Sequence, residues 1–230
     1  MTIPTPTCWT LVRAAADGDG EAGNAFAKTY LGIVRAYLTK RWRATPMIGA
    51  LDDAVQEVFL DLFRKDGALT RLDEGRAKSF RAFLFGVAHN VALRHEERQR
   101  LRMPRTSSTP VEPDELASPD PTLSRVFDRE WALAILKRAA VRQEQLAKVL
   151  GQEAQQRVEL LRLRFVEGLP IRTIAEQWRQ DPAKVHHEYS RARQEFKDAL
   201  RAEVRYHMAN PRAAVEREVQ ELLQLLGGAG

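Results

Sequence analysis

The residues best placed to do chemistry lie in LLRLRFVEGLPIRTIAEQWRQDPAKVHHEYSRARQEF, positions 160–196. Two short helices that cross closely need a small residue at the crossing, and apolar residues that pin the second helix to the first. Ala175 suits the crossing; Ile171, Ile174, Val185 and Tyr189 suit the pins. A helix pinned in that way turns Lys184, His186, His187, Ser190 and Arg191 outward, a set of donors and cations suited to base edges and phosphates in a major groove. An ordinary helical hairpin with a polar outer face is the competing reading.

Two further groups carry charge in a pattern. Asp52, Asp53, Gln56, Glu57 and Asp61 share the polar side of a helix whose apolar stripe is Val55, Val58, Phe59, Leu62 and Phe63. A carboxylate face of this kind repels DNA, so beside a DNA-binding surface it points to a basic protein partner; a solvated acidic face is the alternative. SFRAFLFGVAHNVALRHEERQRLR, positions 79–102, then sets phenylalanines beside Asn90, Arg94, Arg98 and Arg102. Bases stack on rings while cations meet phosphates, which suits single-stranded DNA. A buried aromatic core with a basic rim competes with that reading.

Other groupings fail on context. GDGEAG at Gly18–Gly23 spells G-x-G-x-x-G but follows a helix rather than a strand, so no dinucleotide site is expected. His186 and His187 are neighbours about 100° apart on a helix, with no acid or cysteine to complete a metal site. His95-Glu96-Glu97 lacks the second histidine of a zinc-protease helix, and no serine sits in a nucleophile elbow. No catalytic residue, cofactor or metal is expected, and the chain does not read as an enzyme.

The elements that must position these residues are helices throughout. Phe26, Tyr30, Ile33, Val34, Tyr37 and Leu38 follow helical spacing, as do the Val55–Phe63 stripe and Phe80, Phe83, Leu84, Val87, Ala88 and Val91. Asp52 and Asp53 are candidate N-caps for the second stripe and Ser79 for the third. With a short helix near Trp9–Ala16, these make a small bundle over 1–102. Residues 103–122 hold Pro110, Pro113, Pro119 and Pro121 and read as a tether. Helix resumes from Leu123 to about Leu150 and from Ala154 to Glu167, where Gly168 is the stop. The segment Ile171–Trp178 comes next, then a helix capped by Asp181 with Pro182 at its first position. The second domain is expected over 123–205, followed over 206–230 by an amphipathic helix, Pro211–Leu226. The fold class expected is all-α.

Bulk numbers agree with a DNA-binding role. The chain has 230 residues, 44% hydrophobic and 29% charged, and a net charge of +5. The charge is segmented. Five arginines face two glutamates over 89–105, Thr106–Asp120 carries four acids and no base, and Lys184–Arg205 carries six cations against four acids. No apolar run of membrane-spanning length occurs, no secretory signal is expected at the start, and Cys8 is the one cysteine, so a cytoplasmic protein is expected.

In this order the motifs resemble the sigma-70 superfamily, in particular the extracytoplasmic-function (ECF) sigma factors. DDAVQEVFLDLF is similar to the region 2 helix that docks on the polymerase clamp. KSFRAFLFGVAHNVALRHEERQR is similar to the following helix, which melts and reads the −10 element. VELLRLRFVEGLPIRTIAEQWRQDPAKVHHEYSRARQEF resembles region 4, whose helix-turn-helix reads the −35 element. FDREWALAILKRA and the C-terminal tail resemble an ECF subgroup with extra helices around region 4. The chain departs from that pattern in region 4: Arg179 and Gln180 stand where a glycine and then an apolar residue are usual, Asp181–Lys184 replace the usual helix start, and His186 and Glu188 stand where basic residues are common. A non-glycine residue in a left-handed turn costs roughly 1–2 kcal/mol, which makes a rebuilt turn one expectation.

The resemblance implies a promoter-specificity subunit whose partners are core RNA polymerase and promoter DNA, both duplex and melted. Asp52, Asp53, Gln56, Glu57 and Asp61 would bind polymerase; Asn90, Arg94 and Arg98 the melted element; Lys184, His186, His187, Ser190 and Arg191 the upstream element. The acidic tether would thread the enzyme's nucleic-acid channel. An anti-sigma protein is a further partner the resemblance admits, with the Val215–Leu226 stripe as one candidate surface and packing on region 4 as the alternative use of that stripe. A stand-alone helix-turn-helix regulator, which needs a dimer and a palindromic site, is the other function class.

Overall fold

A computed structural model of the chain describes residues 8–64, 80–102, 121–208 and 215–227. Among these the chain is helical and contains no strand: α1 Cys8–Ala16, α2 Gly20–Trp42, α3 Leu51–Phe63, α4 Phe80–Arg102, α5 Pro121–Leu150, α6 Gln152–Phe165, α7 Ile171–Trp178, α8 Pro182–Tyr206 and α9 Val215–Gly227. No described helix is long and apolar enough to cross a membrane. The described residues divide into two compact units. One runs to Ala134 and includes Tyr206–Met208 and the end of α9 from Glu221; the other holds Ile135–Arg205 and the start of α9. The tether expected over 103–122 lies outside the described residues except for Pro121 and Thr122, which already open α5. Ser79 lies outside them too.

The first unit is built on aromatic packing. Phe26, Tyr30, Ile33, Val34, Tyr37 and Leu38 of α2 are all buried, and so are Val55, Val58 and Leu62 of α3 and Phe80, Leu84, Ala88 and Val91 of α4. Phe26 meets Phe63 and Phe80 edge to face at 5.3 and 5.8 Å, the arrangement ring quadrupoles favour. The first turns of α5 belong to this core. Phe127 is fully buried against Tyr37 and Phe85, and Trp131 stacks on Tyr30 at 5.7 Å.

Local chemistry sets the helix ends. GDGEAG leads from the turn after α1 into α2: Gly18 takes φ 93°, Asp19 caps α2 by accepting from the Glu21 and Ala22 amides at 2.9 and 3.1 Å, and Gly20–Gly23 already form the first helical turn. The caps expected at Asp52 and Asp53 are not caps. A 3-10 turn, Pro46–Ala50, runs straight into α3, Ala50 holds the cap position without a side-chain bond, and both aspartates lie in the first helical turn. There they offset the positive end of the helix dipole.

The second unit packs α6, α7 and α8 around Leu160, Leu163, Ile174, Ala175 and Val185, with Leu169, Ile171, Trp178 and Tyr189 closing over them. Gly168, at φ 72°, ends α6 and lets the Leu169 amide reach back to the Leu163 carbonyl at 3.0 Å. α5 adds polar fastenings: Gln143, itself buried, donates to the Ala192 carbonyl, and Arg138 and Arg142 meet the buried carboxylate of Glu203 at 2.9 and 3.2 Å.

Candidate nucleic-acid interface

In the first unit the acidic and basic groups do not form two separate faces. Asn90, Arg94 and Arg98 recur every fourth residue along α4 and are exposed. The two arginines reach across to α3. Arg98 donates to Glu57 at 2.7 and 3.2 Å, Arg94 donates to the same carboxylate at 3.1 and 3.3 Å and also pairs with Asp61, and His95 Nε2 lies 2.8 Å from Glu57. These donors, Arg98 foremost, hold Glu57 down to a pKa of about 2 against the opposing effect of its partial burial. Asp52 is taken by Arg35 at 2.6 Å. Asp53 and Gln56 remain exposed. A polyanion approaching Arg94 or Arg98 therefore competes with carboxylates already in place, and a cationic protein approaching Glu57 competes with arginines.

Of the rings on α4, Phe80 is core and Phe85 sits among Tyr37, His89 and Phe127 at 5.3–5.7 Å, leaving Phe83 half-buried beside Phe80. Sequence reasoning missed a polar network behind them. Glu96 accepts two bonds from Arg41, at 2.6 and 2.8 Å, and one from the Trp42 indole at 2.7 Å, while the Tyr37 hydroxyl lies 3.0 Å from His89 Nδ1. Burial pushes the Tyr37 phenol up and His89 down, the latter helped by the charge of Arg41. The network fixes the rotation of α4 against α2, and with it which side of α4 carries Asn90, Arg94 and Arg98. Arg41 and Glu96 stand 55 residues apart, so no local spacing signals the pair.

Residues 25–102 match the family model of Sigma-70 region 2. The match runs from within α2 to the end of α4, so it contains the α3–α4 carboxylate and arginine network. No curated protein matches the chain. The second unit lies outside the region 2 match and stands on its own geometry.

There, Lys184, His186, His187, Ser190 and Arg191 are all exposed on α8, as their spacing predicts. The turn before α8 is not rebuilt. Arg179 itself adopts the left-handed conformation, φ 53° and ψ 43°, its amide donates to the Glu176 carbonyl at 3.1 Å, and the Gln180 amide reaches the Ala175 carbonyl at 3.0 Å. Asp181 accepts from the Ala183 amide at 3.0 Å and starts α8. The negative charge of Glu188, which stands among the exposed cations of α8, is offset from behind. Arg157 of α6, almost fully buried, meets Glu188 at 3.2 Å and Glu195 at 2.8 Å, and Arg191 approaches Glu188 at 3.4 Å. Ser190 donates its hydroxyl to the His186 carbonyl, so its oxygen is left as an acceptor towards solvent.

Proposed function

We propose that this chain is a promoter-specificity (sigma) subunit of bacterial RNA polymerase, of the ECF type, and that it directs transcription initiation. The observation that carries the reading is the region 2 match over 25–102, which frames the α3–α4 network. Two helices joined by a tight turn, with five exposed polar or cationic residues on the second, support a helix-turn-helix reader in the second unit.

In this reading Asp53 and Gln56, with Asp52, Glu57 and Asp61 beside them, dock on basic residues of the polymerase. Asn90, Arg94 and Arg98 meet the melted strand of the downstream promoter element, and Lys184, His186, His187, Ser190 and Arg191 meet the upstream element as duplex. The arginine–carboxylate pairs give the two contacts an order. When polymerase cations take Glu57 and Asp61, Arg94 and Arg98 lose their internal partners and turn to phosphate, where an Arg–oxyanion contact is strong.

Run-off transcription with core polymerase and a promoter library tests the function. Defined start sites that depend on this chain are expected; their absence with active core enzyme overturns it. Charge reversal at Asp53 (Asp53→Lys) should weaken capture of core enzyme, and undiminished capture removes the α3 assignment.

A further inference from the structure

A groove of about 670 Å³ runs along the first unit between α2 and the first part of α5. Its α2 wall consists of Gly32, Arg35, Ala36, Thr39, Lys40 and the C-cap residue Arg43, and its α5 wall of Val126, Arg129, Glu130 and Leu133. On both helices the lining positions recur at i, i+3, i+4 and i+7, so each presents one face, and the α2 face is about 16 Å long at 1.5 Å per residue. The floor is small and apolar. A methyl group placed on Gly32 would meet no atom within 4 Å, so the space above the floor is open, and Leu133 is 44% exposed. The rim is cationic. Among the described residues, Lys40, Arg43 and Arg129 have no carboxylate within ion-pair distance, whereas their neighbours Arg35 and Arg41 do.

We propose that this groove docks an amphipathic helix of a partner protein, apolar along one stripe and acidic along its edges. The apolar floor buries such a stripe, and the small residues Gly32 and Ala36 let a third helix approach closely. The unpaired cations would meet glutamates or aspartates on both edges. A nucleic-acid backbone fits less well: it offers nothing to cover Val126 and Leu133, and Glu130 within the lining repels phosphate. Occupation has a consequence for the neighbouring surface. Arg35 is shared between the groove and Asp52, so an acidic helix in the groove competes for Arg35 and releases Asp52.

The test uses the full chain and a fluorescein-labelled synthetic helical peptide of about 18 residues, long enough to be helical in water, with leucines along one stripe and glutamates on both edges. Anisotropy titrations should show saturable binding that weakens by at least about tenfold in a Lys40→Glu/Arg43→Glu/Arg129→Glu variant. A similar loss is expected in Gly32→Leu, which fills the floor while favouring the α2 helix. A scrambled peptide of equal charge should also bind at least about tenfold more weakly. Equal binding to wild type and charge variant overturns the proposal. Loss in the charge variant with Gly32→Leu unaffected also overturns it, because only surface charge would then be at work. So does a single- or double-stranded oligonucleotide that depends on the same three cations while the peptide does not.

Discussion

Glu57 sits where two demands meet, because the carboxylate that marks the acidic side of α3 is also the acceptor that holds Arg94, Arg98 and His95. Its folded pKa of about 2 lies below the ordinary 4.5, so its contribution to stability is complete above pH 4.5 and is lost as pH falls from there towards 2. Glu57→Gln should abolish that part of the acid sensitivity, read as a smaller difference in helical circular dichroism between pH 5 and about pH 2 than wild type shows. At neutral pH the same change frees Arg98 from its acceptor. One unit charge removed at contact distance in water is worth about 1 kcal/mol, so affinity for single-stranded DNA should rise about fivefold at low salt, and the gain should shrink as salt screens it. Unchanged low-salt affinity would mean that Arg98 is not oriented by Glu57 in solution. His95, Glu57 and Arg98 each drew notice in the sequence, but their meeting did not show there: Glu57 and Arg98 are 41 positions apart, and only the packing of α3 on α4 joins them.

At the scale of elements, periodicity and caps carried most of the information. The crossing of α7 with its neighbours was legible because Ile174, Ala175 and Val185 are fully buried and must recur at helical spacing, and because Asp181-Pro182 is a local start signal. Trp178 was not legible, since it borders a polar turn and its packing comes from the fold of the chain around it. The Asp52 and Asp53 caps were misplaced for a similar reason: a 3-10 turn supplies the entry to α3, and nothing at one residue reports the conformation of the preceding five. The turn between α7 and α8 keeps its left-handed residue without the glycine that would relieve it. Backbone hydrogen bonds from Arg179 and Gln180, together with the packing of the half-buried Trp178 on the core of the second unit, hold Arg179 in place against a cost of roughly 1–2 kcal/mol. Arg179→Gly removes that cost but gives back roughly 0.4–1 kcal/mol through the freer unfolded chain. A net gain of up to about 1.6 kcal/mol in the stability of the second unit is expected, as a higher urea midpoint with unchanged slope. A lower midpoint would show that the arginine side chain contributes a contact worth more than the strain.

For the whole molecule, the distribution of charge matters more than its sum. The net charge of +5 is small for 36 cations and 31 acids, and the two units spend their cations differently. Along α4, Arg94 and Arg98 are balanced by α3, whereas on α8 Lys184 has no carboxylate within ion-pair distance among the described residues, and the acid nearest Arg191 is already held by Arg157. If counterion release drives DNA binding, only cations free to meet phosphate contribute to its salt dependence. In the absence of polymerase, Lys184→Ala should therefore lower the slope of log affinity against log salt for a duplex promoter fragment by about one, uniformly across sequences. The Arg94→Ala/Arg98→Ala pair should leave that slope almost unchanged, because each arginine that reaches a phosphate abandons a carboxylate. With core polymerase bound and Glu57 and Asp61 engaged, the same pair should weaken promoter opening and restore a salt effect of its own. Salt-dependent anisotropy on the chain alone, followed by open-complex formation with core enzyme, separates the two regimes. A slope lowered by about two in the arginine pair without polymerase would mean that α3 does not restrain α4, and the ordered exchange between protein and DNA partners would fail with it.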